Sequence, residues 1–184
     1  EDLKNAGDVA AAGSIDISGA SINSNGAFRT AGDLGLVATG DIANTGVLAA
    51  AGTVALAGAT LNVGGKAEAL GAVSLNAARD AILSGKLLGN GKVTVSAASG
   101  ISLLQGGEIG TSAGVDLSAG GMLEISGIVS AAGDVSALSG GLAIGGTLAA
   151  AGKAVVTADG VARISGRLSA QDGLSLASTG SDVA

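Results

Sequence analysis

Residues 71–90 read GAVSLNAARDAILSGKLLGN, and three apolar alternations are fitted into this stretch. Val73, Leu75 and Ala77 fall at every second residue; Arg79 and Asp80 interrupt; Ile82 resumes before Gly85 leads into Leu87 and the small Gly89. Alternation with period two marks a strand with one face buried. Three strands this short make no core alone, so the stretch predicts a unit that buries its apolar face by stacking on copies of itself.

Such copies run through the chain. An opening glycine recurs at Gly13, Gly32, Gly52, Gly71, Gly91, Gly114, Gly133, Gly152 and Gly173, at spacings of 19, 20, 19, 20, 23, 19, 19 and 21 residues. Apolar pairs follow these glycines at alternate positions, from Ile15/Ile17, Leu34/Leu36, Val54/Leu56 and Val73/Leu75 through Val93/Val95, Val115/Leu117, Val135/Ala137 and Ala154/Val156 to Leu174/Leu176. A second glycine column, Gly26, Gly46, Gly65, Gly85, Gly107, Gly127, Gly146 and Gly166, stands two residues before Phe28, Leu48, Ala67, Leu87, Ile109, Val129, Leu148 and Leu168. Between the two columns lies a middle strand signal: Ile22, Ile42, Leu61/Val63, Ile82, Ile101/Leu103, Leu123/Ile125, Leu142/Ile144, and Val161 with Ile164.

A strand rises about 3.3 Å per residue, so three strands of four or five residues plus tight turns use up one period. The expected fold is an all-β parallel β-helix, or β-solenoid, with 19–20 residues and three short strands per coil and eight to nine coils. Each strand then lies about 4.8 Å from its equivalent in the next coil. Glycine is expected at the corners because it takes positive φ at little steric cost and lets neighbouring backbones approach. Proline, which would remove a ladder donor, is absent.

Composition narrows the function classes. At 184 residues with 47% hydrophobic content and 34 glycines, the chain invites a membrane reading, and residues 42–65 hold no charge. That run alternates, contains Asn44, Thr45, Thr53, Thr60 and Asn62, and is cut by glycines at coil spacing, which argues against a membrane-spanning helix. Glycine without an every-third pattern, in a chain lacking proline, excludes collagen. Cysteine is absent, so disulfides and thiolate metal sites are excluded. The net charge of −6 disfavours nonspecific nucleic-acid binding and favours solubility.

Residues 1–12 read as the tail of a coil, 13–172 as eight coils and 173–184 as the start of a ninth, so 1–184 is expected to be one continuous solenoid segment. The opening EDLKNAGD has no basic segment followed by an apolar one, so no signal peptide is expected there. Neither end shows a polar or helical cap, which suggests a piece of a longer filament. The coil from Gly91 to Ala113 is longer by three or four residues; the surplus is expected as a protruding turn near Leu104, Gln105, Gly106 and Gly107.

Chemistry-bearing patterns are sparse. Histidine is absent, which removes Ser-His-Asp and Cys-His nucleophiles and imidazole ligands. Stacked acids, as polysaccharide-cleaving β-helices would need, are missing at the position after the opening glycine, which reads Ser14, Asp33, Thr53, Ala72, Lys92, then Asp134 and Lys153. Arg79 and Asp80 are expected to form an ion pair at a solvated corner. No GGxGxD calcium motif and no Thr-x-Thr ice-binding rows occur. Catalytic, cofactor and metal residues are therefore expected to be absent. The position after the second glycine brings Lys66 and Lys86 onto adjacent coils as a small basic spot, with Gln105 on the protruding turn; these are the candidate ligand contacts. Glu68 and Glu108 stand ready to neutralise the spot, and no Trp or Tyr is present to stack on a sugar or base.

The repeat G-x-V-x-L-x-A, a middle isoleucine and G-x-L-x-A, as in GTVALAGATLNVGGKAEAL and GDVSALSGGLAIGGTLAAA, resembles the shaft repeats of the filamentous haemagglutinin family over essentially the whole chain. The resemblance implies a right-handed β-helical rod of a two-partner-secreted bacterial exoprotein. It further implies export by an outer-membrane transporter partner and display at the cell surface. No Arg-Gly-Asp triplet is present, and no functional residue carries over. The expected role is a rigid spacer of an adhesin or toxin-delivery filament. The alternatives are an adhesive module contacting a host glycan or protein and, last, a polysaccharide-active enzyme. The register predicts that Leu75→Asp, which puts an unpaired charge into a narrow core, disrupts its own and adjacent coils. Thermal melting should fall sharply, and an unchanged melting temperature would contradict the register.

Overall fold

The computed structural model describes residues 1–180, which form strands joined by turns and contain no helix. Every strand pairing is parallel. The strands stack as a β-solenoid of about nine turns with three columns. An opening column holds strands such as Leu34–Ala38, Val54–Gly58 and Val73–Ala77. A middle column holds Ile42–Asn44, Leu61–Val63 and Ala81–Leu83, and a closing column holds Val47–Ala50, Lys66–Ala69 and Lys86–Gly89. The closing column is a nine-stranded sheet of its own. The other two merge into one sixteen-stranded sheet, because Val115–Ile125 and Val135–Ile144 run on through the corner and serve both columns.

Inward positions form continuous apolar stacks along the axis. Leu36, Leu56, Leu75, Val95 and Leu117 are paired in sequence across five coils, and each is essentially inaccessible. Burying one such side chain contributes about 1.5–3 kcal/mol, and each coil adds several. Where the coil bends, only small residues fit inside. The last inward position of the opening strands is taken by Ala38, Gly58, Ala77, Ala97 and Ala119. The last position of the closing strands holds Ala50, Ala69, Gly89 and Thr111 in turn.

The middle column differs from its expected membership at two places. In Ala81–Leu83 the buried residues are Ala81 and Leu83, while Ile82 points outward. Near the far end Ala162 is buried opposite Leu142, and Val161 is 40% exposed. The register forces both outcomes, since a one-residue slip would turn the whole strand inside out. At the near end this column is polar inside: Ser24 and Asn44 are fully buried, and the Asn5 Nδ2 donates to Ser24 Oγ at 3.2 Å. Asn44 donates through Nδ2 to the Gly46 carbonyl at 3.2 Å, tying the following turn, and its Oδ1 has no partner.

The glycines act mainly through close approach and seldom through positive φ. Among the described residues only Gly106 and Gly173 take positive φ. A Cβ at Gly26, Gly46, Gly65, Gly85, Gly127, Gly146 or Gly166 would overlap the carbonyl oxygen of its equivalent one coil back. The opening glycine column is also less regular than its spacing suggests: Gly133 donates to Ala113, and Asp172 to Gly152, so Gly114 and Gly173 sit one place beyond the column. The irregular coil consequently carries a smaller surplus than expected. Its register offset grows from 20 at Leu83/Leu103 to 22 at Lys86/Glu108, an insertion of two residues. Gly85→Ala should lower stability by about 1–3 kcal/mol through overpacking. Gly13→Ala, where a Cβ meets nothing, should leave thermal melting unchanged.

Candidate functional site

The outward residues of the closing column present the chain's candidate contacts. Lys66 and Lys86 are register partners on neighbouring strands, as their spacing predicts. Neither stands as a bare cation. Lys66 Nζ lies 2.7 Å from Glu68 Oε1 on its own strand, and Lys86 Nζ lies 2.6 Å from Glu108 Oε2 on the next. All four side chains are solvated, so these pairs add little stability, on the order of 0–1 kcal/mol each. Their effect is on the surface field: the expected basic spot is a zwitterionic ladder.

Gln105 occupies the tip of the two-residue insertion and is exposed. The Gly107 amide donates to the Leu104 carbonyl at 2.9 Å, and Gly106 has φ +87°. This is the pattern of a type II turn, with Gln105 and Gly106 at its centre. The turn precedes Glu108, so Gln105 and the Lys86–Glu108 pair belong to the same corner of the solenoid.

Acidic residues at the corners tie successive coils together. Asp33 Oδ1 accepts from the Thr53 amide at 2.7 Å and from the Thr53 hydroxyl at 3.0 Å. Asp134 Oδ1 accepts from the Lys153 amide at 2.7 Å. The amide bond first, and the hydroxyl second, hold the Asp33 carboxyl below the ordinary carboxylate range. At the corner before the middle column, Asp2 accepts from the Ser21 hydroxyl at 2.8 Å, Asp41 from the Thr60 amide at 3.1 Å, and Asp80 from the Gly100 amide at 3.0 Å. Arg79 does not pair with Asp80. Its Nη2 reaches back two coils to Asp41 Oδ1 at 3.0 Å and touches Thr60 Oγ1 at 3.2 Å on the way. The physical reason is the corner geometry: the long Arg79 side chain lies back along the axis, past Thr60, and so meets the acid two coils behind it.

This acid column lies just before the middle strands and not at the position after the opening glycine. Its signal is the recurrence of Asp2, Asp41 and Asp80 at two-coil intervals, with Ser21 and Thr60 between them and Gly100 after the last. The alternation keeps like charges about 10 Å apart. Among the described residues, no group of three or more acids, histidines or cysteines is placed to hold a metal.

One concavity is large enough to note, a groove of about 760 Å³ on the closing-column face, floored by Ala49, Ala50 and Gly89. It is open along its length. Arg29, Glu68 and Asn90, with the hydroxyls of Thr30, Thr111 and Ser112, supply its polar side chains, and Leu70, 65% exposed, also lines it.

Comparison with protein families finds the haemagglutinin repeat matching residues 3–85, 70–154 and 138–184. No curated protein and no solved structure matches the chain.

A carboxyl whose folded-state pKa lies below its unfolded value stabilises the fold above the unfolded value and loses that contribution as pH falls through the folded one. Asp33→Ala should therefore melt at a lower temperature than the native chain at pH 7. The difference should shrink below about pH 4, the unperturbed carboxylate range. Melting curves at pH 7 and pH 3 measure this; a pH-independent difference would show that the charge of Asp33 is irrelevant.

Proposed function

The chain belongs to the haemagglutinin repeat family, whose repeats build the shafts of secreted adhesins, and we propose that it is a rigid spacer in such a shaft. The observation that carries this reading is the continuous parallel pairing of coil on coil, which runs from Leu3 paired with Ile22 to Ala158 paired with Ser178. Each coil adds about 4.8 Å of length and repeats the same cross-section. The segment sets a distance between the bacterial outer surface and a more distal module, either an adhesive or a toxic one. Export in this reading uses an outer-membrane transporter of the two-partner type, and display is on the exterior of the outer membrane. The haemagglutinin repeat is a structural repeat, and no reaction is proposed for this chain.

A second reading, adhesion by the segment itself, is supported by the placement of Lys66, Lys86 and Gln105 on one face and corner. It requires an anionic glycan or protein to displace Glu68 and Glu108 from their lysines.

The two readings separate in a surface-displayed shaft from which residues 54–92 are deleted, so that Val93 follows Thr53 in the register Val54 vacates. Under the spacer reading the shaft shortens by about 10 Å and keeps its export and adhesion. Adhesion lost both in this deletion and in Lys66→Ala/Lys86→Ala would transfer the binding role to the segment.

A further inference from the structure

We propose that the closing-column face is a self-complementary surface on which a second copy of this chain docks side by side and antiparallel. The outward positions of the first five closing strands carry three cations and two anions; about the central strand, Asp8 and Arg29 on one side are matched by the opposite charges of Lys86 and Glu68 on the other, and Lys66 is matched by Ala27. Reading along the axis, the first outward position holds Asp8, Ala27, Val47, Lys66 and Lys86, and the third holds Ala10, Arg29, Ala49, Glu68 and Leu88. The centre of both rows is the strand Val47–Ala50.

A two-fold axis lying in the interface along that strand maps each row onto itself in reverse. Arg29 then faces Glu68 of the second copy, and Asp8 faces Lys86 of the second copy; symmetry doubles both pairs. Val47 faces Val47, and Ala49 faces Ala49 from the floor of the groove, so the axis itself is lined by small apolar groups. The corner row beside the groove follows the same rule. Leu70 of one copy falls opposite Ala31 of the other, which gives this exposed leucine a hole to fill.

Centring on any of the other four strands sets like charges together. Centring on the strand Ala27–Thr30 puts Arg29 against its own copy, and centring on Lys66–Ala69 puts both Lys66 and Glu68 against theirs. A parallel arrangement pairs Lys66 with Glu68 but leaves Arg29, Asp8 and Lys86 without opposite charges. The existing pairs, Arg29 with Asp8 and Lys66 with Glu68, lie within the face and join the intermolecular contacts as a charge network.

The face is about 20 Å by 13 Å, smaller than a standard stable interface, so a single segment associates weakly. Association of this kind weakens with salt.

The test is sedimentation of the intact chain at low salt and protein concentrations up to about 1 mM, the range in which so small an interface is populated. Arg29→Glu and Glu68→Arg alone each set like charges opposite one another, and each should weaken dimerisation on the order of tenfold. Mixing the two variants should restore a dimer containing one copy of each, because both cross-pairs are again of opposite sign. Circular dichroism identical to the native chain confirms that the variants fold. Absence of any dimer, association indifferent to the swap, or failure of the mixture to recover it would each overturn the proposal.

Discussion

Everything in this molecule depends on the backbone ladder that runs parallel to its axis. The amides and carbonyls of one coil bond to those of the next, and the ladder continues through the corners, where Gly52 donates to Gly32, Gly71 to Gly52 and Gly91 to Gly71. A buried backbone group without a partner is costly, so each coil must reproduce the path of the one before. That constraint explains how the chain treats its irregularities. The two extra residues before Glu108 are extruded as a turn while the strands on either side resume pairing. The extra residue between Ala119 and Met122 is absorbed as a bulge in the continuous strand Val115–Ile125.

Side chains adapt to the ladder in turn. Coils separated by one strand spacing leave no room for a Cβ where two corners stack, and glycine is the residue that fits there. Bulky aliphatic residues fill the centre of each face and small ones its corners. Outside, charged groups serve the ladder as well: Asp33, Asp41, Asp80 and Asp134 each accept a backbone amide from the next coil. Acidic composition in this chain is thus partly a means of capping corner amides.

Much of this was legible in the sequence, because period-two alternation at a near-constant spacing has few physical solutions. The strand columns at Val73/Leu75 and Leu87 and their partners follow directly from it. What escaped reading were positions where alanine competes with a larger neighbour. Ile82 and Val161 look like core residues by hydrophobicity, yet register places Ala81 and Ala162 inside. Gly114 resembles an opening glycine, but the apolar ladder aligns Ala113 with that column. Lys66 and Lys86 are register neighbours at the spacing the repeat predicts, whereas the link between Arg79 and Asp41 spans two coils and leaves no local trace. The inward Ser24 and Asn44 were equally invisible, since polar residues in an alternating strand read as solvent-facing.

The account rests on additive coils, and small-angle scattering of the chain beside a version with residues 54–92 duplicated in tandem tests that most directly. Two coils inserted in register should lengthen the particle by about 10 Å and leave its cross-section unchanged. A particle that grew in cross-section, or kept its length, would contradict the solenoid and the role proposed for it.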